Sequence, residues 1–273
     1  MVKGRGPDGG HDTGATIVRT LLSSLELFGE EDAERIKSMI KYYVREDTSV
    51  DYYLSMNLDN IDILQDIMND SHVVPREGYT IAKVYGNMDR VVQHKDDYAF
   101  GISMSSERII NYESVNAANM KGWYSGDGMV YLYNDDLTQY EASYWNYVNR
   151  YRMPGVTADT QTREEASILN SEAYLSSQDF VGGVSYDGYA AAAMHLESYH
   201  SEGGMETTTD WSGGGAPAHA CNLEAQKAWF MFDEELVALG TGIRASNDVN
   251  VETTIENRKT PVSKSVVVDG ESM

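Results

Sequence analysis

The sequence predicts an α+β multidomain protein: a helical end-piece over residues 1–75, then a large antiparallel β-sandwich domain over residues 76–273. Three observations carry this expectation. Apolar residues recur at spacings of three and four as far as Met68. After Pro75 that period gives way to short alternating or β-prone stretches broken by Gly, Asn and Asp. Those stretches follow one another without intervening helices, which favours antiparallel sheets stacked face to face.

Over residues 16–28, Ile17, Leu21, Leu25 and Phe28 form an apolar stripe with Val18 and Leu22 beside it, and Gly29 is expected to end the helix. Residues 31–44 repeat the pattern through Ile36, Met39, Ile40 and Tyr43, with acidic residues in the first turn, where the helix dipole favours them. Ile61, Leu64 and Met68 mark a third helix over 59–68. None of the three is long enough to stand alone in water. Strands are expected in "TIAKVYGNMDRVVQH", "YAFGISMSS", "GMVYLYN", "AQKAWFMFDEELVALGTGI" and "VETTIENRK". Residues 200–220 form a Gly-rich loop, and no internal repeat is visible.

Composition narrows the function classes. The chain has 273 residues, 41% of them hydrophobic and only five Pro, so it buries a core and is not globally disordered. A single cysteine, Cys221, excludes an internal disulfide and says little about compartment. No apolar run approaches a membrane span, and "MVKGRGPDGG" has no signal-peptide core. A net charge of −22 argues against nucleic acid and anionic membrane as partners. Oligomeric state is not legible.

Residues 112–134, "YESVNAANMKGWYSGDGMVYLYN", concentrate three Gly, three Asn, four Tyr and one Trp in 23 positions. Gly126 and Gly128 punctuate the stretch, while Trp123, Tyr131 and Tyr133 read as packing residues. Six His are present. His195, Glu197 and His200 offer a metal trio, but strand alternation puts His195 and Glu197 on one face and His200 on the other. The histidines are read as structural or exposed.

"NMDRVVQHKDDYAFGISMSSERIINYESVNAANMKGWYSGDGMVYLYN" resembles the core β-domain of polysaccharide lyase family 8, the hyaluronate, chondroitin AC and xanthan lyases. The resemblance continues in order through "YWNYVNRYRMPGVTADT", "DFVGGVS", "AQKAWFMFDEELVALGTGI" and "TTIENRK". It implies the end of an incomplete α/α toroid followed by an antiparallel super-sandwich, expected to be incomplete at its C-terminal end. The implied chemistry is β-elimination at a uronic acid. In the family an Asn and a His neutralise the carboxylate, a Tyr takes the C5 proton, and an Arg lowers that Tyr's pKa.

The family's Arg-rich segment, Met-x-Arg-Gly-Arg-x-x-x-Arg, corresponds to "MVKGRGPDGG". Met1, Gly4 and Arg5 match, Lys3 replaces the first Arg, and Gly9 stands where the last Arg is expected. The resemblance therefore assigns Arg5 as the catalytic-type arginine, Glu113 of "YESVN" as the carboxylate that supports it, and Asn116 as a polar residue of the substrate cleft. The next residues, "NAAN", depart from the commoner Asn-Gly-Glu-Asn, so a sharp turn at Ala117 needs another route to its backbone angles.

The Asn, His and Tyr motifs have no counterpart here, so the resemblance implies a C-terminal portion of a longer lyase, expected to be inactive alone. The expected partner is an anionic polysaccharide outside the cell, with no redox cofactor. Some family members bind calcium in the β-domain, but no carboxylate cluster in this sequence is assignable to it. The other reading is a non-catalytic carbohydrate-binding or structural β-module. A polyanionic substrate and a charge of −22 also imply that attraction must be local, from Arg5, Lys3 and other basic residues.

Overall fold

The computed structural model describes residues 10–114, 117–134, 136–166, 173–199, 222–246, 248–260, 265 and 267–272. The chain divides into two compact units, one of Gly9–Tyr79 and one that includes Thr80–Met273. The division falls a few residues beyond the period change at Pro75.

The first unit holds helices α1 (Gly10–Ser23), α2 (Glu30–Glu46) and α3 (Leu58–Asn69). Ala15, Val18, Leu22, Ile40, Leu64 and Ile67 are buried together in its core. The stripe on α1 differs from the one expected. Val18 and Leu22 are buried, whereas Ile17 is 57% exposed and Phe28 39%. The helix stops at Ser23, where the hydroxyls of Ser23 and Ser24 bond back to the carbonyls of Arg19 and Thr20. A short 3₁₀ turn, Leu25–Leu27, follows, so the later apolar positions leave the helical phase. Gly29 does not end α1. It is the N-cap of α2, in extended backbone, and its carbonyl accepts from the Ala33 amide at 2.8 Å. Asn57 caps α3 by accepting from the Asn60 amide, and the Asn60 amide group donates to Ser23 Oγ at 2.7 Å, tying α3 to α1.

The second unit is built on two antiparallel sheets. One runs β1 (Ile81–Tyr85), β2 (Arg90–His94), β3 (Ala99–Ser103), β4 (Met129–Tyr133). The other runs β6 (Val181–Tyr186), β7 (Tyr189–Ser198), β8 (Leu223–Met231), β9 (Leu236–Ala245). Between them in sequence lie helix α4 (Ala142–Tyr147) and strand β5 (Thr157–Asp159), which pairs with β10 (Val251–Thr253). A two-stranded hairpin, β11 (Val267–Val268) and β12 (Glu271–Ser272), follows.

The inward faces follow from register. Val91 pairs with Ile102, and Ile102 with Val130. Ala192 pairs with Trp229, and Leu196 with Ala225. These residues meet in one buried cluster, the sandwich core. The opposite face of β4 enters a different core. Met129 and Tyr131 are buried there with Tyr140, Tyr144, Trp145 and Trp123. Tyr140 is edge-on to Tyr131, Tyr133 and Tyr144 at about 5 Å between ring centroids.

Helix α4 corrects the expectation that no helix interrupts the strands. It has six residues, too few for a helical period to show, and the aromatic layer holds it. Trp145 Nε1 donates to the Tyr140 carbonyl and the Tyr144 hydroxyl to the Asn257 carbonyl. The β6–β7 hairpin turns on Asp187 and Gly188, both at positive φ (48° and 81°), as a two-residue Asp-Gly turn requires.

Gly126 is fixed by space. A Cβ there would stand 2.4 Å from the Asn111 carbonyl oxygen, a backbone atom with no rotamer to escape into. Gly126→Ala is therefore expected to lower stability by about 1–3 kcal/mol, as overpacking does. The measurement is the urea midpoint at unchanged m-value.

Candidate functional site

Side-chain hydrogen bonds tie residues 113–114 to residues 118–119. Ser114 Oγ donates to the Ala118 carbonyl at 2.9 Å, and Asn119 Nδ2 donates to the Glu113 carbonyl at 3.1 Å. Ala117 and Asn119 both have positive φ, 60° and 56°. Asn tolerates that conformation; Ala adopts it at a cost of about 1 kcal/mol. The structure thus answers how the turn forms without the glycine the resemblance leads one to expect. It strains Ala117 and holds the strain with two side-chain hydrogen bonds. Glu113 is half-buried at the start of this turn.

Behind the turn the backbone is anchored from two sides. Asn111 is 1% exposed; its Nδ2 donates to the Trp123 carbonyl at 2.7 Å and its Oδ1 accepts from the Tyr174 amide at 2.9 Å. Trp123 Nε1 donates to the Glu164 carbonyl at 2.8 Å, and the ring lies 5.0 Å from that of Tyr151. Beside the turn lies a pocket of about 370 Å³ whose lining includes Ala117, Asn119, Lys121, Trp145 and Arg150.

Two buried polar networks underlie this region. Arg163 donates to Tyr124 and to the Tyr199 carbonyl and pairs with Asp159 at 3.4 Å, both side chains being almost wholly buried. Burial pushes the Tyr124 hydroxyl up to about 12, with Arg163 pulling the other way. The second network holds Asp127, Tyr174 and Lys227. The Tyr174 hydroxyl donates to Asp127 Oδ1 at 2.9 Å. Lys227 Nζ reaches the Gly155 carbonyl and lies 5.3 Å from the Trp229 ring centroid. A Cβ on Gly128, which has φ 83°, would fall 2.9 Å from that ammonium, so glycine opens the space for it. Burial raises the Asp127 carboxyl from 3.8 to about 7, opposed by the Tyr174 hydrogen bond and by the charges of Arg163 and Lys227. Burial lowers Lys227 to about 8, opposed by Asp127.

Of the site residues expected from sequence, Glu113 is placed, while Arg5 and Asn116 lie outside the described residues. Lys3, His200, His219 and the Gly-rich residues 200–220 lie outside them as well. Lys227 joins the site from a position the resemblance does not assign, although the strand pattern carries a signal for it. In "LEAQKAWFM" it falls in phase with the inward residues Leu223, Ala225, Trp229 and Met231, so a charge sits where the core requires a partner. Glu197 accepts from Ser176 Oγ, the Ser177 amide, Gln178 Nε2 and the Tyr199 hydroxyl. Burial opposes ionisation there, but these donors hold the carboxyl below its ordinary value. Its lone pairs are thereby spent within the protein rather than on a metal. Among the described residues, no group of three or more His, Cys, Asp or Glu is placed to hold a metal ion. No helix among them is long and apolar enough to cross a membrane.

The family model described as polysaccharide lyase family 8, super-sandwich domain, matches residues 80–273, the stretch that follows the helical unit. The chain belongs to polysaccharide lyase family 8. It is 35% identical over 249 residues to the xanthan lyase of Bacillus sp. strain GL1, covering 91% of this chain and 24% of that protein. It is 32% identical over 249 residues to hyaluronate lyase HylB of Enterococcus faecalis, covering 90% of this chain and 23% of that protein. Among solved structures, Paenibacillus xanthan lyase matches all of this chain and 24% of its own, with a TM-score of 0.82 and 34% identity. A Streptomyces coelicolor A3 chondroitin AC lyase in complex with chondroitin sulphate matches 93% of this chain and 32% of its own, with a TM-score of 0.75 and 25% identity. This family 8 chain thus spans about a quarter of the length of the curated relatives just named.

Ala117→Gly removes the strain of the turn and is expected to raise stability by about 0.5–1 kcal/mol. A higher urea midpoint checks it. Asp127 generates a pH prediction. A carboxyl raised on folding keeps its proton in the folded state after the unfolded chain has lost it. Its contribution to stability is complete below about pH 4 and is lost as pH rises through about 7. Asp127→Asn lacks this dependence, so its Tm relative to that of the parent protein should rise steadily between pH 4 and pH 7. A constant difference across that range contradicts the assignment.

Proposed function

We propose that these residues form part of a polysaccharide lyase that cleaves a uronic-acid-containing polymer (hyaluronan, chondroitin or xanthan) by β-elimination. The product carries a 4,5-unsaturated uronate at its new non-reducing end. The observation that carries this reading is the Glu113 turn. In this family 8 chain the backbone carrying Glu113 is tied by the Asn119 side chain, beside a Ser114 to Ala118 hydrogen bond, and this supports reading Glu113 as the carboxylate of the cleft. A carboxylate on a fixed backbone can hold a guanidinium in one pose and keep both groups ionised.

In this reading Glu113 supports Arg5, and Arg5 lowers the pKa of the tyrosine that takes the C5 proton and protonates the leaving glycosidic oxygen. An asparagine and a histidine neutralise the uronate carboxylate, which makes C5 acidic enough to lose its proton. Asn116 adds a polar contact to the sugar. Helices α1 to α3 form the end of the α/α toroid. The substrate is a polymer too large to enter a cell intact, which supports an enzyme working outside it.

Because no Asn, His and Tyr motif of the family occurs in residues 1–273, this chain alone is expected not to turn over. The complete enzyme containing it should release product that absorbs through its conjugated double bond, from at least one of the three polymers. In that enzyme Glu113→Gln should lower kcat by about tenfold to a hundredfold with KM little changed, because misplacement of a catalytic group falls on the transition state. Product from residues 1–273 alone, unchanged kcat in the variant, or no unsaturated product from any of the three polymers would each overturn the proposal.

A further inference from the structure

We infer that the pocket beside the Glu113 turn is a subsite for an acidic sugar residue of the polymer, with Arg150 and Lys121 as its anion-binding groups. This rests on the reading of the chain as part of a polysaccharide lyase and assigns one of its substrate contacts. The pocket volume of about 370 Å³ lies within the span of small-molecule sites, about 300–1,000 Å³. Its lining combines what a charged pyranose needs. Asn119 and Asn146 offer amides, Lys121 and Arg150 offer cations against the one carboxylate of Glu165, and the buried Trp145 ring backs the Arg150 guanidinium.

Three details favour a ligand over a fold-only role. Asn119 is 8% exposed, and its Oδ1 has no hydrogen-bond partner although its Nδ2 is committed to the Glu113 carbonyl. An unpartnered buried acceptor is costly, and because Asn119 lines the pocket a turn of its amide would present that oxygen to a sugar hydroxyl. Arg150 is held for recognition rather than neutralised. Its Nη2 donates to the Trp145 carbonyl at 2.9 Å, its guanidinium carbon lies 4.8 Å from the Trp145 ring centroid, and a carbonyl leaves its positive charge intact. Lys121 pairs with Glu165 at 2.9 Å, but both side chains are about half exposed. Such a pair contributes little, so an incoming carboxylate can take Lys121 from Glu165 at small cost. On a chain of charge −22 this is the kind of local cationic spot that a polyanion requires.

The test is an NMR titration of the purified 273-residue chain with a hyaluronan tetrasaccharide, its carboxyl-reduced neutral form, and a chondroitin sulphate tetrasaccharide. Shifts are expected at Asn119, Lys121 and the Trp145 indole with both acidic probes and not with the neutral one. Tighter binding of the sulphated probe would assign the pocket to sulphate over carboxylate within the same acidic-sugar class. Arg150→Ala should weaken binding about tenfold, the scale of a charged hydrogen bond. Glu165→Gln should strengthen it about threefold, a gain that loss of a purely structural contact would not produce. Unchanged thermal unfolding of each variant shows that the fold is intact. Equal binding of neutral and acidic probes, affinity unmoved by both substitutions, or no binding by the parent chain overturns the subsite. The lyase reading is decided separately by the unsaturated-product assay on the complete enzyme, so either can fail alone.

Discussion

Strand β4 is where the two cores of the sandwich unit meet, and both depend on its alternation. Because successive side chains point to opposite faces, Val130 and Leu132 pack into the sandwich core while Met129 and Tyr131 enter the aromatic layer. A slip of one residue would exchange the two sets, placing tyrosines in the sandwich and aliphatics against Tyr140. Strand β3, the one neighbour of β4 in its sheet, pairs with it at every position, from Ser103 opposite Met129 to Ala99 opposite Tyr133. The Glu113 turn, its Asn111 anchor and the Arg150 pocket all belong to the layer that this alternation positions.

Electrostatics on this chain separates into a field and a few fixed points. The net charge of −22 is spread over the surface, where water and salt weaken it. The buried groups behave differently. Arg163 and Glu197 sit in networks of hydrogen bonds, because an unpaired charge away from water is far more costly than any surface repulsion, whereas Asp127 is bonded through Oδ1 alone and burial favours its protonated form. The Arg150 pocket lies between these regimes. It is shielded enough for a cation to act over a short range and open enough for a sugar to reach it. A polyanion can bind such a chain only where this local term exceeds the distant one.

Much of the fold was legible in residues 10–134. The 81–94 hairpin, β3 and β4 follow from alternation and turn residues, and Gly126 and Gly128 stand where other backbone or side chains come too close for a Cβ. Other features were not legible. On α1 the apolar spacing permitted two stripes, and packing with Ile40, Leu64 and Ile67 decided for Val18 and Leu22. Strand β7 opens with Tyr-Ala-Ala-Ala-Ala, which favours helix locally, and pairing on both sides overrides it. The Asp187-Gly188 turn is a local hairpin signal, an Asp-Gly pair at positive φ between two strands. Helix α4 has too few residues to show a period and exists because Tyr144 and Trp145 are buried. Of the candidate site, the sequence singled out Glu113 but not the Asn119, Trp145 and Arg150 that stand around it.

The sequence by itself determined the class of the fold, the family, and the stretch in which the candidate site lies. Periodicity, turn chemistry and motif order are local properties, readable residue by residue. Tertiary structure alone decided which charges are buried, that Ala117 takes a strained conformation, and that Lys121, Trp145 and Arg150 line one pocket with Asn119. Those outcomes depend on groups up to a hundred residues apart, such as Asp127 and Lys227, being brought within a few ångströms and removed from water together. No local rule encodes that proximity, because it is a property of the packed sheets.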